Sequence, residues 1–310
     1  MKLIRGNDHL TQTLTGSVVT LGNFDGMHVG HQALLRQLKT LGEQRHLPTV
    51  LITFEPQPKE FFEKQQTVAR LMRFREKYLA AQKYGIDHVV CLRFNRALAD
   101  LSPEDFVKNI LVDQLGMTAI VVGEDFRFGA KRRGNVDLLN ALGERYHFQT
   151  FPIQAIALDG ERVSSTRVRA ALQAGDMKGA EKLLGHSYRL SGKVVHGNKI
   201  GRDLGFPTAN INLHRKLVPI AGVFVIRASI EGEESYCGVA NVGTRPVFNG
   251  TRVLLEVHLF DFHADIYQHH LEVEFLHKLR DEAYYDNRAD LIAQIRLDVA
   301  AAKAWFHIYR

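Results

Sequence analysis

Short apolar runs alternate with amphipathic stretches along the first part of the chain. The apolar runs predict strands at residues 17–22, 48–54, 88–92 and 119–122. The intervening patterns predict helices over 32–41, 71–84 and 103–115, and Ser102 is the expected N-cap of the third helix. Strands that alternate with helices form parallel sheets, which bind ligands at the carboxyl ends of their strands. We therefore expect an α/β domain first.

The pattern changes near residue 185. Two short helices are predicted between residues 166 and 184, and period-two alternation then predicts strands at 189–195, 222–230, 236–242, 253–260 and 271–279. Apolar positions at helical spacing over 288–307 predict a terminal helix. The sequence thus predicts an α/β domain over residues 1–184 and a β-rich domain over residues 185–310.

Composition narrows the class of protein. The chain has 310 residues, of which 45% are hydrophobic and 24% charged, so disorder, collagen and coiled coil are excluded. The formal net charge of +6 is uneven, because residues 1–185 hold 25 Lys and Arg against 20 acidic residues, whereas residues 186–310 hold 15 against 14. The basic excess favours small anions such as nucleotides as partners of the first domain, and we expect no nucleic acid.

The two cysteines, Cys91 and Cys237, are too few for a disulfide framework or a thiolate zinc site, which favours the reducing cytoplasm. Arg5, Asn7 and Asp8 interrupt the N-terminal apolar stretch, and no stretch approaches ~18 consecutive apolar residues, so we expect neither a signal peptide nor a membrane span.

The first chemical motif follows the first predicted strand, where residues 22–31 read GNFDGMHVGH. Glycines allow the backbone to approach a ligand, and a helix N-terminus offers free N–H groups to phosphate. His28 and His31 add two imidazoles at this junction. The alternative is a glycine-rich turn with two surface histidines, but the combination favours a phosphate site. The motif is neither a P-loop nor a dinucleotide fingerprint.

Two further segments accompany this motif. Residues 163–169 read VSSTRVR, whose hydroxyls can cap a helix or donate to phosphate and whose last arginine adds a cation; the alternative is a plain cap with solvated arginines. Residues 123–129 read GEDFRFG after the fourth predicted strand, where Phe126 and Phe128 either wall a pocket for a planar ligand or belong to the core.

The β-rich domain carries the second chemical motif, GRDLGFPTAN over residues 201–210. In an extended segment Thr208 and Asn210 project to one face and offer hard oxygen ligands suited to Mg²⁺; such a pair alone is more often a turn or capping contact. Alternation in the strand at 253–260 places Glu256 on a part-apolar face with His258 and Phe260, where desolvation would raise the pKa of a general base. A solvent-facing glutamate is the alternative.

These motifs carry a family resemblance. GxFDxxHxGH followed by SSTxxR resembles the nucleotidyltransferases that transfer AMP or CMP and release pyrophosphate. With GxDFxFG, residues 53–58 (TFEPQP) and GRxLGFPTAN, the whole chain resembles the bacterial bifunctional riboflavin kinase/FAD synthetases. The resemblance implies a Rossmann-like nucleotidyltransferase domain, then a Greek-key β-barrel with a C-terminal helix. The resemblance departs at Gln57, where histidine is expected from the family pattern.

The resemblance also implies site residues. For transfer of AMP it implies catalytic His28, His31 and Arg169; ATP-binding Gly22, Asn23, Phe24, Asp25, Gly30, Ser164, Ser165 and Thr166; and flavin-binding Phe54, Pro56, Pro58, Asp125, Phe126 and Phe128. For the kinase it implies catalytic Glu256; ATP-binding Gly197, Gly201, Gly205 and Pro207; flavin-binding Asn241, Gly243, Thr244 and Arg280; and the Mg²⁺ ligands Thr208 and Asn210.

The implied activities are phosphorylation of riboflavin to FMN by ATP and adenylylation of FMN to FAD with release of pyrophosphate, with Mg²⁺ as cofactor. We expect a cytoplasmic monomer whose partners are riboflavin, FMN and ATP. Two other classes stay open at this point: a nucleotidyltransferase with a different acceptor whose barrel only binds substrate, and a basic nucleic-acid-binding protein with a β-barrel module.

Overall fold

The computed structural model describes residues 1–6, 14–63, 68–197, 204–247 and 250–308. They divide into two compact units: residues 1–68 with 72–165, and residues 69–71 with 166–310. A helix ends at Leu184, where the sequence predicted the boundary. That this boundary also separates the two functional domains stays a prediction. No helix within the described ranges is long and apolar enough to cross a membrane.

The first unit is built around a six-stranded parallel sheet. Its strands are β1 (Lys2–Arg5), β2 (Ser17–Leu21), β3 (Thr49–Glu55), β4 (His88–Arg93), β5 (Met117–Gly123) and β6 (Gln149–Ile153). The spatial order is β1-β4-β3-β2-β5-β6, and every pairing is parallel. Because the order reverses between β2 and its neighbours β3 and β5, the carboxyl end of β2 borders the crevice where open α/β sheets bind ligands.

Helices cover both faces of this sheet. They are α1 (Val29–Arg45), α2 (Pro58–Phe62), α3 (Phe74–Lys83), α4 (Arg96–Asp100), α5 (Pro103–Asp105) and α6 (Val136–Tyr146). A π-helical stretch (Phe106–Val112) continues α5, a 3₁₀ turn spans Ala130–Arg132, and β7 (Ala157–Leu158) pairs with β8 (Glu161–Arg162).

The apolar runs form the central strands because both of their faces are buried. Val19, Leu21, Val50 and Ile52 pack on one face with the π-helical stretch and α6, and Val18, Leu51, Val89 and Val121 pack on the other with α1. Ser102 caps α5 as predicted, since its hydroxyl oxygen accepts from the backbone N–H of Asp105.

The second unit contains a closed six-stranded barrel preceded by α7 (Ser165–Gln173, whose first residue lies in the first unit) and α8 (Met177–Leu184). The strands are β9 (Tyr188–Val195), β10 (Ala209–Asn212), β11 (Gly222–Ile230), β12 (Ser235–Val247), β13 (Gly250–Leu259) and β14 (His270–Arg280). They close in the order β10-β13-β12-β11-β14-β9. Since β14 returns beside β11 after two hairpins, the barrel has the expected Greek-key connection.

Alternate residues fill the barrel. Phe224 and Phe275 meet inside it edge to face, with ring centroids 5.3 Å apart, beside Leu255 and Val257. The terminal helix α9 (Arg288–Ile308) packs on the outer face, where Ala302 lies with Val225 and Val239. The outward residues of β13, including Glu256, are only half-buried, as the alternation predicted.

Candidate functional sites

The loop at the carboxyl end of β2 leads into α1 through a strained backbone. Phe24 and Met27 adopt φ angles of 46° and 45°, and Gly26 adopts 88°. Left-handed backbone at non-glycine residues costs of order 1 kcal/mol and is retained where the surroundings require it. Both side chains are buried, so the core holds this loop in the shape that presents the N-terminus of α1. The buried side chain of Phe24 leaves its backbone as the part that faces the loop, and its ATP contact stays a prediction.

His28 is the N-cap of α1. Its Nδ1 atom accepts a hydrogen bond from the backbone N–H of His31 at 3.3 Å. An accepting Nδ1 places the ring proton of the neutral imidazole on Nε2, which leaves Nε2–H as the donor. Burial, with a smaller contribution from the nearby Arg162 guanidinium, lowers the pKa of His28 to about 4. His28 is thus a neutral, preoriented donor at the helix N-terminus.

His31 lies on the first turn of α1, and its ring stacks on that of His28 with centroids 3.7 Å apart. Burial lowers the pKa of His31 well below its usual value, and the adjacent His28 ring and the positive charge of Lys77 contribute in the same direction. Its Nδ1 atom is buried and meets no hydrogen-bond partner within the described residues. The predicted histidine pair is therefore brought together.

Asp25 and Ser165 tie this loop to other segments of the first unit. Asp25 Oδ1 accepts from the backbone N–H of Met72 at 2.9 Å, and the Ser165 hydroxyl donates to the carbonyl of Asp25 at 2.8 Å. Asp25 is only 2% exposed and its carboxylate holds the Met72 segment, and its ATP contact stays a prediction. The Ser165 hydroxyl proton is used in this hydrogen bond, and the ATP contact of Ser165 stays a prediction.

The neighbouring predicted flavin contacts lie in different surroundings. The rings of Phe126 and Phe128 stack with centroids 5.5 Å apart, and Phe128 is buried in the core against Phe106, while its flavin contact stays a prediction. Asp125 forms a two-point ion pair with Arg162, whose Nη2 donates to Asp125 Oδ1 at 2.9 Å. Asp125 thereby holds a cation near His28.

The predicted flavin segment lies after β3. A cis peptide bond joins Glu55 to Pro56, Pro58 begins α2, and Phe54 packs edge to face on Phe94. Gln57 precedes α2 and is 7% exposed, and its Nε2 atom has no hydrogen-bond partner among the described residues. Gln57 is thus a buried amide donor.

Thr166 and Arg169 belong to the second unit. Arg169 Nε donates to the carbonyl of Ala69 at 2.7 Å, and Arg215 Nη1 donates to the carbonyl of Arg70 at 2.7 Å. Arg169 therefore has an anchoring contact within its own unit, and its catalytic role stays a prediction.

In the barrel, three predicted kinase residues form one cross-strand row. Glu256 on β13 pairs with Asn210 on β10 and with Asn241 on β12. Directly paired residues project to the same face of a sheet, with Cβ atoms about 5 Å apart. The row lies on the outer face, because the adjacent Leu255, Val257 and Ala240 are buried inside. The predicted base, a predicted metal ligand and a predicted flavin contact are therefore neighbours.

The segment around this row fits a nucleotide and a cation. A Cβ at Gly197 would lie 2.5 Å from Asn210 Cγ, so only glycine leaves room beside that amide. Gly205 adopts φ 84°, and Pro207 and Thr208 follow it into β10. The hydroxyl of Thr208 and the carbonyl of Asn210 are oxygen donors of the kind that Mg²⁺ prefers. Gly201 lies outside the described residues.

The remaining predicted flavin contacts lie on β12 and β14. The backbone of Gly243 abuts the carboxylate of Glu282, which fills the space that a Cβ would need. Thr244 lies in β12, where only its backbone is described. Arg280 makes a two-point ion pair with Asp298 on α9, with Nε to Oδ1 at 2.9 Å and Nη2 to Oδ2 at 2.8 Å. Arg280 thus fastens the terminal helix to the barrel, and its flavin contact stays a prediction.

Sequence reasoning missed three residues near these sites: Lys77, Arg162 and His258. Lys77 is 1% exposed although lysines on an amphipathic helix usually face solvent. Arg162 belongs to a two-residue strand with no apolar pattern. His258 shares a strand face with Glu256, and that alternation was a signal for it.

The fold and the two candidate sites define a two-domain phosphate-transfer enzyme. Its Rossmann-like sheet has a histidine pair at a helix N-terminus, and its Greek-key barrel has a glutamate and two asparagines in one row. A family model described as FAD synthetase matches residues 10–167, and one described as riboflavin kinase matches residues 184–306. The bifunctional riboflavin kinase/FMN adenylyltransferases of Haemophilus influenzae and Escherichia coli K12 are each 44% identical to this chain over 99% of its length, covering 100% and 98% of their own. The chain belongs to the family of bifunctional riboflavin kinase/FMN adenylyltransferases.

A solved structure supports the fold along nearly the whole chain. The crystal structure described as a macrolide-efflux protein from Streptococcus pneumoniae matches with a TM-score of 0.80 and 31% identity, covering 93% of this chain and 94% of that one. The family assignment establishes a transferase that converts riboflavin to FMN and FMN to FAD with ATP as co-substrate. The alternatives of a different acceptor and of a protein without enzymatic activity are thereby set aside.

Proposed function

We propose that the row of Asn210, Glu256 and Asn241 is the kinase centre. Glu256 takes the proton of the ribityl 5′-hydroxyl as that oxygen attacks the γ-phosphorus of ATP. The new bond joins the 5′-oxygen to the γ-phosphorus, the bond between the γ-phosphorus and the β–γ bridging oxygen breaks, and ADP leaves with the bridging oxygen. The observation that supports this assignment is the direct cross-strand pairing of Glu256 with both asparagines.

Thr208 and Asn210 are the proposed holders of the Mg²⁺ ion of this site. When bound, the ion neutralises negative charge on the nucleotide phosphates. Gly197 supports the assignment, since its missing side chain leaves space beside the Asn210 amide. The half-buried face around Glu256 limits the access of water to the acceptor hydroxyl.

The proposed centre for adenylylation is the N-terminus of α1 with His28 and His31. An oxygen of the FMN phosphate attacks the α-phosphorus of ATP, the bond to the β-phosphate breaks, and pyrophosphate leaves. Nε2–H of His28 and the free backbone N–H groups of the first turn donate to the phosphate oxygens, where charge develops. Because the pKa of His28 lies near 4, this donor acts as a neutral group in the unliganded protein. The reaction needs no covalent enzyme intermediate.

We also propose that the chain works as a cytoplasmic monomer, with kinase activity residing in residues 185–310. The two free cysteines support a reducing compartment. Light scattering during size-exclusion chromatography measures the oligomeric state, and a stable dimer would contradict the proposal.

The kinase assignment is tested by Asn210→Leu, with Asn212→Leu on the same strand as the matched control. Asn212 pairs with Lys193 rather than with Glu256. Each variant is incubated with riboflavin, ATP and Mg²⁺, and FMN, FAD, ADP and pyrophosphate are quantified. We expect Asn210→Leu to lose ADP-linked FMN formation by at least ~10²-fold and to keep adenylylation of supplied FMN. Equal kinase loss in both variants would contradict the assignment.

A further inference from the structure

His258 connects the proposed base strand to the proposed metal segment. It lies on β13 two residues after Glu256 and on the same outer face. Its Nδ1 atom lies 2.8 Å from the carbonyl oxygen of Pro207. A carbonyl oxygen only accepts, so Nδ1 carries the proton and donates. The residue that accepts this bond directly precedes Thr208.

Two aromatic rings fix the orientation of this imidazole. Phe206 packs edge to face on His258 with centroids 5.6 Å apart, and Phe260 packs on it with centroids 5.9 Å apart. A ring held between two neighbours loses little further freedom when it forms a hydrogen bond. The bond to Pro207 is thus preorganised by β13 and by the segment that it holds.

The location of Thr208 gives this bond its importance. The ladder between β10 and β13 pairs Ala209, Asn210 and Ile211 with Val257, Glu256 and Leu255. Thr208 therefore lies one residue beyond the ladder, at the level of His258, where regular pairing has ended. The donor at His258 continues the attachment of the chain to β13 past that point.

We propose that His258 is a positioning residue of the kinase site, whose hydrogen bond to Pro207 holds Thr208 and Asn210 in the arrangement that receives the cation and nucleotide facing Glu256. This inference rests on the proposed metal-binding role of Thr208 and Asn210. It assigns to His258 no contact with substrate and no proton transfer.

The test compares side chains that keep or lose the donor. In His258→Asn the amide nitrogen occupies the place of Nδ1 and can reach the Pro207 carbonyl, whereas in His258→Gln it lies one methylene further out, at the place of Nε2. His258→Leu removes the donor. His269→Leu, which removes a barrel histidine paired with Glu231, is the matched control. The adenylylation rate of each variant with FMN reports on folding and active concentration.

The first measurement is binding of Mn²⁺ in the presence of ADP, followed by electron paramagnetic resonance without turnover. We expect His258→Leu and His258→Gln to weaken this binding about tenfold, the effect of one lost hydrogen bond, and His258→Asn and His269→Leu to bind like the parent chain. The second is steady-state kinetics, in which the two donor-lacking variants should raise the KM for Mg·ATP with a smaller change in kcat.

Thr208→Val and Asn210→Leu separate the two levels of inference. If neither weakens Mn·ADP binding, the proposed metal site is wrong. If both weaken it while His258→Gln and His258→Asn bind equally well, the metal site stands and the positioning role of His258 is overturned. Should His258→Leu fail to fold, the comparison of Asn with Gln still decides.

Discussion

The Nδ1 atom of His28 accepts the backbone N–H of His31, and the two rings stack with centroids 3.7 Å apart. Nδ1 of His28 thereby caps the helix, which leaves Nε2–H for the proposed contact with the ligand. The stacked second ring adds to the burial that keeps both imidazoles neutral.

His28→Asn separates these two purposes. Asparagine is a strong N-cap, so its carbonyl oxygen can replace Nδ1 as the acceptor, while the Nε2–H donor is lost. We expect a thermal unfolding midpoint near that of the parent chain and a ~10²- to 10³-fold loss of FAD formation from FMN. Chromatographic flavin assays and thermal unfolding measure both. Unchanged FAD formation would refute the donor role, and phosphorylation of riboflavin by the same variant is the control.

The depressed pKa of His28 predicts its titration. A free histidine titrates near pH 6.5, and burial moves the His28 midpoint to about 4. Between these values the unfolded chain binds a proton that the folded chain does not. The contribution of neutral His28 to the free energy of unfolding is therefore complete above pH 6.5. It decreases by about 3 kcal/mol in total as the pH falls from 6.5 through 4. Nuclear magnetic resonance titration of labelled imidazoles, with His28→Asn for assignment, measures the midpoint. A midpoint near 6.5 in the unliganded protein would contradict it.

Lys77 offers a buried cation beside His31. Its charge lowers the pKa of His31, so Lys77→Met, which keeps much of the volume, should raise that pKa. A fixed cation near a phosphate site also attracts the nucleotide, and we expect adenylylation to fall at least tenfold in kcat/KM. Lys83→Met, on the last turn of the same helix, is the matched control. If the two variants retain equal kcat/KM, Lys77 has a packing role only.

The sequence predicts the buried central strands better than the edge strands. The central strands β2 to β5 were predicted to within a few residues because apolar runs buried on both faces leave a clear pattern. The edge strands β1 and β6 and helix α6 were missed, since β1 is half-exposed with charged ends and β6 contains Pro152. The spacing of apolar residues could not show that π-helical turns continue α5, because these turns share the apolar spacing of an α-helix.

The sequence shows where the site motifs lie along the chain, but in the loop it does not show where the side chains point. In a loop with left-handed residues, neither period two nor period 3.6 applies, so the burial of Phe24 and Asp25 could not be predicted. On the regular strand β13 the alternation did apply, and it placed Glu256 and His258 on one face. Cross-strand register, which brings Asn210 and Asn241 beside Glu256, depends on non-local pairing.

Glu256→Gln should remove the proton acceptor of the kinase step while keeping size and hydrogen bonding. General-base contributions are typically 10²- to 10⁴-fold, so we expect riboflavin phosphorylation to fall by at least ~10² with adenylylation of supplied FMN unchanged. Glu233→Gln, in the exposed turn between β11 and β12, is the matched control. A kinase rate like that of the parent chain would remove Glu256 from the mechanism.

The ion pair of Arg280 and Asp298 gives a prediction about stability. Asp298 is 6% exposed on α9, and its carboxylate accepts from both Nε and Nη2 of Arg280. Removing one partner of such a pair leaves a poorly solvated charge, and losses of about 3 kcal/mol or more are typical. We expect Asp298→Ala to lower the unfolding midpoint of the barrel sharply.

Arg280→Met combined with Asp298→Leu should recover much of this loss, because apolar side chains replace both charges. Thermal unfolding of the parent, both single variants and the double variant measures the coupling between the two positions. If the losses in unfolding midpoint of the two single variants are additive, the pair does not fasten α9. A raised KM for riboflavin in Arg280→Met alone would support the predicted flavin contact.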